Sequence, residues 1–155
     1  MAKHGGFTLI ELIVVMVVLG ILSAIALPRM MNNQALAGAV FQADVVSALR
    51  YAQKSAVSHR RLVCATLTAT TVTLKIATAN PATTCGTALP SPDGTPYQSR
   101  DGSVTASGYP PGGLYFQPAG TITSDGAGAT LYSGTIAVTG QGKPITIVGA
   151  TGYVE

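Results

Sequence analysis

The chain reads as an α+β protein, a long N-terminal helix ahead of a small antiparallel β head, and three observations carry that reading. Phe7 to Leu27 is a run of 21 residues with Glu11 as its only charge. Beyond it, Phe41, Val45, Leu49, Ala52 and Ala56 recur at spacings of four, four, three and four, the period of one helix face. From Leu62 onward that period disappears, and short β-branched runs separated by Gly, Pro and Thr replace it. Helix first and strands after is the order expected of segregated α+β layers.

The first six residues hold Lys3 and the Gly5-Gly6 pair but no apolar core of their own. At 1.5 Å per residue the following run spans about 30 Å as a helix, the hydrocarbon thickness of a bilayer. Its uniform apolarity argues against a helix buried in a soluble core. Glu11 is costly there, at about 2.5–3.5 kcal/mol for an acid at the bilayer centre and less near the interface, so it marks a functional position. Gly20 and Ala24, four apart, would permit close helix–helix approach.

Pro28 ends the apolar run; without an N–H it should kink or loosen the helix there. Residues 28–58 continue in an amphipathic style, with the Phe41-to-Ala56 stripe packing on a globular head and Gln42, Arg50, Gln53 and Lys54 on other faces. The expected organisation is thus a leader at 1–6, an apolar helix at 7–27, its amphipathic continuation at 28–58 and a β-rich head at 59–155.

Within the head, Leu62–Leu67 and Val72–Ile76 read as a hairpin, with further strands at Leu114–Phe116, Leu131-Tyr132, Thr135–Val138 and Ile145–Val148. Gly140–Pro144 supplies the turn before the last of these. Asn80 to Gly113 carries six prolines and reads as a long irregular stretch. The 155 residues allow one domain plus an anchor. With only three Phe and no Trp the head should have a modest core.

Enzyme chemistry finds little support. His59 is the only His beyond the leader, no nucleophile is marked for it, and neither HExxH nor P-loop spacing occurs. Cys64, Cys85 and His59 cannot close a four-ligand zinc site, so no metal and no cofactor is expected. Gly126-Ala127-Gly128 lacks the third glycine of a dinucleotide loop and reads as a turn. Asp93-Gly94, Asp101-Gly102 and Asp125-Gly126 could suggest calcium, but their separation favours ordinary β-turns. Formal net charge is +3, or +2 without Lys3, which implies no partner by itself. Arg50, Lys54, Arg60 and Arg61 form a small basic group where helix meets strand, able to touch phosphates or simply to be solvated.

Gly6-Phe7-Thr8-Leu9-Ile10-Glu11, with the Glu four residues after the Phe and about twenty apolar residues following, resembles the class III leader of type IV prepilins and pseudopilins. Arg50–Val57 leading into Leu62–Leu67, Tyr115–Gly120, and Ile145–Val148 with Gly152-Tyr153-Val154 resemble the GspH/FimT group of minor pilins. The Ala26–Arg29 junction and the Thr151–Val154 ending resemble MshC-type minor pilins of MSHA pili. The resemblance implies cleavage between Gly6 and Phe7 by prepilin peptidase and N-methylation of Phe7. Glu11 is then expected to meet the Phe7 amine of a neighbouring subunit, with Pro28 marking where the assembly helix passes into the head.

Lys3 on one flank and Arg29, Arg50 and Lys54 on the other leave charge counting ambiguous for topology. The resemblance places the anchor in the bacterial inner membrane, single-pass, with the head in the periplasm and later in a fibre. Export would permit a Cys64–Cys85 disulfide; two unpaired thiols in a reducing compartment is the other reading. The implied partners are other major or minor pilins or pseudopilins, prepilin peptidase, the inner-membrane assembly platform and membrane lipid. The implied work is assembly into a type IV pilus or a type II secretion pseudopilus, in a tip or initiation complex. The alternative is a FimT-like DNA-binding minor pilin of natural transformation. FimT-like proteins use arginines near the C-terminus, whereas this chain ends Gly149–Glu155 without one, leaving Arg50, Lys54, Arg60 and Arg61 as the possible DNA contacts.

Overall fold

The computed structural model describes the backbone of residues 8–30 and 33–155, with side chains described for 8–24 and 34–155. The chain divides into two compact units, Met1–Asn33 and Gln34–Glu155.

In the first unit the described backbone forms α1 (Leu9–Met30). Thr8 starts it as an N-cap: its carbonyl accepts the Leu12 N–H at 3.2 Å, and its Oγ1 accepts the Glu11 N–H at 3.3 Å. One of the four orphan donors of the first turn is thereby satisfied. The large apolar side chains from Leu9 to Leu22 are all outward, from 48% exposed at Val15 to 77% at Leu9. A helix apolar on every face has no side suited to water. Among the described residues no helix is long and apolar enough to cross a membrane; the side chains described for α1 stop at Ala24, short of the expected end of the run at Leu27. The helical backbone of α1 continues through Pro28 to Met30. Within a helix a proline removes one i→i−4 bond and crowds the carbonyl four residues back, so the turn around it is weakened.

The second unit opens with α2 (Asn33–His59). Phe41, Val45, Leu49, Ala52 and Ala56 are all buried, as their spacing requires, and Ala48 joins them. They lie in one core cluster with residues of both β sheets. The first sheet comprises β1 (Val63–Leu67), β2 (Thr71–Ile76), β3 (Thr87–Ala88), β4 (Tyr97–Gln98), β6 (Leu114–Phe116) and β7 (Ile122–Thr123). Its order is β3-β2-β1-β6-β7, with β4 also on β2. The second is β10-β9-β8-β5, formed by β5 (Ala106–Ser107), β8 (Ser133–Val138), β9 (Ile145–Val148) and β10 (Tyr153–Val154). All the strand pairings are antiparallel. Alternation sets the faces: Val63, Ala65 and Leu67 of β1 and Val72 and Leu74 of β2 point inward, as do Ile136, Val138, Ile145 and Ile147.

Two expectations about the head are corrected. Leu131-Tyr132 is not a strand: Leu131 makes one isolated bridge to Thr123, and the strand begins at Ser133. There the chain passes between the sheets, the Tyr132 N–H donating to Ile122 O and the Ile122 N–H to Gly149 O. Gly149 permits that approach, because a Cβ would collide with the carbonyl oxygens of Tyr132 and Ile122. The stretch 80–113 is not wholly irregular either, since it contributes β3, β4 and β5. β3 and β4 pair with opposite ends of β2, and the Leu89 N–H donates to Leu74 O between them, so the proline-rich segment covers a sheet edge.

Candidate processing segment and basic face

Gly6 and Phe7, the expected cleavage and methylation positions, lie outside the described residues. The described part of the segment begins at Thr8. Glu11 stands exposed at the third helical position, where a carboxylate is favoured by the helix dipole. Its backbone N–H is bonded by Thr8, so the first turn is held by the Thr-x-x-Glu pattern of a capping box. That pattern is legible in the chain, and reading Glu11 only as a charge in an apolar run misses it. Pro28 belongs to the backbone of α1, and its side chain is outside the described ones.

Cys64 on β1 and Cys85 just before β3 form a disulfide, with Cα atoms 6.0 Å apart and a sequence separation of 21. It ties the central strand to the segment that covers β2. In the chain-entropy model a loop of this size stabilises by about 3 kcal/mol.

The four cations of the expected basic group lie on α2 (Arg50 and Lys54) and at its C-terminal turn (Arg60 and Arg61). Arg50 and Lys54, four apart on α2, share one helix face. Arg50 Nε donates to Val154 O at 3.0 Å, fastening the C-terminal strand to the helix. Arg60 and Arg61 follow at the C-terminal end of α2, about 15 Å along the helix axis beyond Arg50 and about 9 Å beyond Lys54. Their backbone ends α2: the Arg61 N–H donates to Ala56 O and the Arg60 N–H to Val57 O, with Arg60 at φ 51°. This is a Schellman ending with arginine at the left-handed position that glycine usually fills.

An acid stands near the first pair. Glu155 is bridged to Lys143 Nζ at 2.7 Å and bonded to the Tyr153 hydroxyl. Those hydrogen bonds, the charge of Lys143 and the charge of Arg50 hold its carboxyl below the ordinary range. A phosphate approaching Arg50 would meet that carboxylate.

The three Asp-Gly pairs use their carboxylates within their own turns. Asp93 accepts from Ser91 Oγ at 2.6 Å, Thr95 N–H at 3.1 Å and Thr95 Oγ1 at 2.8 Å. These bonds lower its pKa to about 2. Asp101 accepts from the N–H and Oγ of Ser103, and Asp125 from the Ala129 and Thr130 N–H groups; both are likewise held below the ordinary range, chiefly by backbone hydrogen bonds. Among the described residues no group of three or more His, Cys, Asp or Glu side chains could hold a metal.

Residues 1–27 match the family model described as the prokaryotic N-terminal methylation motif. No curated protein and no solved structure matched the chain. The motif covers Gly6, Phe7 and Glu11 together, ahead of a head with α+β architecture. Residues 1–27 therefore carry a type IV prepilin-like leader signal, which implies processing by prepilin peptidase and a membrane anchor.

Proposed function

We propose that this protein is a minor pilin or pseudopilin of the GspH/FimT kind, trimmed after Gly6, methylated on Phe7 and built into a type IV pilus or a type II secretion pseudopilus. One observation carries the reading: the methylation motif runs directly into a capped helix whose described apolar side chains all lack cover. Such a helix is stable only in lipid or among other apolar helices. A subunit moving from bilayer to fibre meets both environments in turn. Glu11 supports assembly by meeting the Phe7 ammonium of a neighbour, because either charge left alone in low dielectric is costly while the pair attracts strongly. The work is structural, with no covalent chemistry of its own.

The test is the mass of the mature N-terminus together with a deletion strain. The reading expects loss of residues 1–6 and one added methyl; Gly6→Ala should block or strongly slow that cut. A product of unchanged mobility from the unaltered chain would sink the leader assignment. Loss of fibres, adhesion or twitching in the deletion strain would point to a pilus, and loss of folded-protein export to a secretion pseudopilus. DNA binding stands below assembly, because Arg50 is tied to Val154 and the Glu155 carboxylate sits beside it. A salt-dependent gel shift abolished by Arg60→Ala/Arg61→Ala would reverse that order.

A further inference from the structure

The stretch between Ala77 and Leu89 is held to the head without core packing of its own. Ala77 is buried, its N–H donating to Leu62 O at 2.8 Å, and Leu89 packs against the core at the other end. Across residues 78–88 no side chain is buried; Ala82 and Cys85 are half-buried and the rest are exposed. Yet this strap covers the edge of β2 turned away from β1, through the pairs Lys75↔Ala88 and Ile76↔Thr87.

Its fit on that edge is loose. The Leu89 N–H donates to Leu74 O at 2.9 Å, but the reciprocal bond from the Leu74 N–H is not made, because the chain turns away at Pro90. A cleft of about 410 Å³ is left between β2 and the 90–96 loop. Two further ties hold the strap. Thr83 O approaches Gly126 so closely that a Cβ there could not be accommodated, and Cys85 is bonded to Cys64. A segment that buries no side chain opens locally far more readily than the core. The covalent tie opposes this by shortening the free chain that an opened strap would have. Both cysteines keep part of their surface in solvent, within reach of an attacking thiolate.

We propose that the Cys64–Cys85 bond is a redox latch: a dithiol reductant opens it, and residues 78–88 then leave β2 while the rest of the head stays folded. The reductant's first thiolate attacks one sulfur, and the Cys64–Cys85 bond breaks as a mixed disulfide forms. The departing cysteine leaves as a thiolate and takes a proton. The second thiol then displaces the other cysteine, so the pair gains two electrons and the reductant ends as a disulfide. The strap's release uncovers β2 at Leu74 and Ile76, an unpaired edge that an extended strand of another chain can join. Oxidation of the two thiols closes the latch again.

The test compares the full chain in detergent before and after treatment with dithiothreitol, with no denaturant present. Amide exchange across residues 78–88, and at Ile76 opposite Thr87, should quicken by at least about ten-fold on reduction. A broad-specificity protease should begin to cut within 78–88. The amides of α2 around Phe41 and Leu49 should keep their protection, and reoxidation should restore the strap. The variant Cys64→Ala/Cys85→Ala, with no reductant, should show the same pattern. A strap that stays protected in the reduced chain or in the variant would overturn the proposal, since hydrogen bonds alone would then hold it. Loss of protection in α2 to the same extent would also overturn it, by making the bond a staple of the whole head. So would a bond that dithiothreitol leaves intact in the folded chain.

Discussion

The two helices of this chain place apolar residues in opposite ways. In α1 the large apolar side chains described on every face are open, and its only acid stands at the third position of the first turn. In α2 the apolar residues are sorted: Phe41, Val45, Ala48, Leu49, Ala52 and Ala56 are buried against two sheets, while the outer face shifts from alanine and valine to arginine and lysine. Both segments are helical, and α2 draws its stability from the head, because tertiary packing rather than propensity supplies most helix stability in proteins. α1 must find its cover outside its own unit. The same chain therefore holds one helix that makes the domain and another that makes the assembly.

The largest expected effect separates these roles. Phe41→Ala should destabilise the head by about 3–5 kcal/mol, the cost of emptying a fully buried aromatic site. Leu12→Ala, on the exposed surface of α1, should leave the head's denaturant midpoint unchanged. Tyrosine fluorescence during urea unfolding of the full chain in detergent reads both; equal effects would erase the distinction. Next comes the disulfide: Cys64→Ser/Cys85→Ser should cost about 3 kcal/mol in the same titration, following the loop that is closed.

A smaller change should have the opposite sign. Arg60 holds φ 51° at the end of α2, a conformation that costs a residue with a Cβ about 1 kcal/mol. Arg60→Gly removes that strain but adds unfolded-chain entropy, so the expected gain is about 0.5 kcal/mol. A lower midpoint would show that the arginine side chain contributes more than its backbone strain costs.

The smallest effect concerns pH. The folded pKa of Asp93 is about 2, against 3.8 for an unperturbed carboxyl. A depressed folded value means that the turn's contribution is complete above the unfolded pKa and is lost as pH falls through the folded one. The protection factor of the Thr95 amide, its exchange rate corrected for the intrinsic pH dependence, should therefore fall only on acidification from pH ~4 to ~2. Asp93→Asn should blunt that dependence.

Uniform apolarity exposed α1, and periodicity exposed α2 and its core stripe, because a buried helix face must repeat near 3.6 residues whatever it packs against. The hairpin of β1 and β2 was legible for the matching reason, alternation. The two-residue strands β3, β4, β5 and β7 were not, since so short a pairing is dictated by its partner edge rather than by its own residues. Leu131-Tyr132 misled because its composition suits a strand while its N–H groups serve a crossing between sheets. At the candidate site, Gly6, Phe7 and Glu11 were legible as a local signal. The fastening of Arg50 was not, because it depends on the approach of Val154 and Glu155 to that side chain.

The account depends most on Glu11 acting in assembly and not in folding. The direct measurement is the share of processed Glu11→Ala subunit found in sheared fibres relative to membranes, beside the head's unfolding midpoint. The account predicts normal cleavage, an unchanged midpoint and near absence from the fibre. Incorporation at the level of the unaltered chain would contradict it.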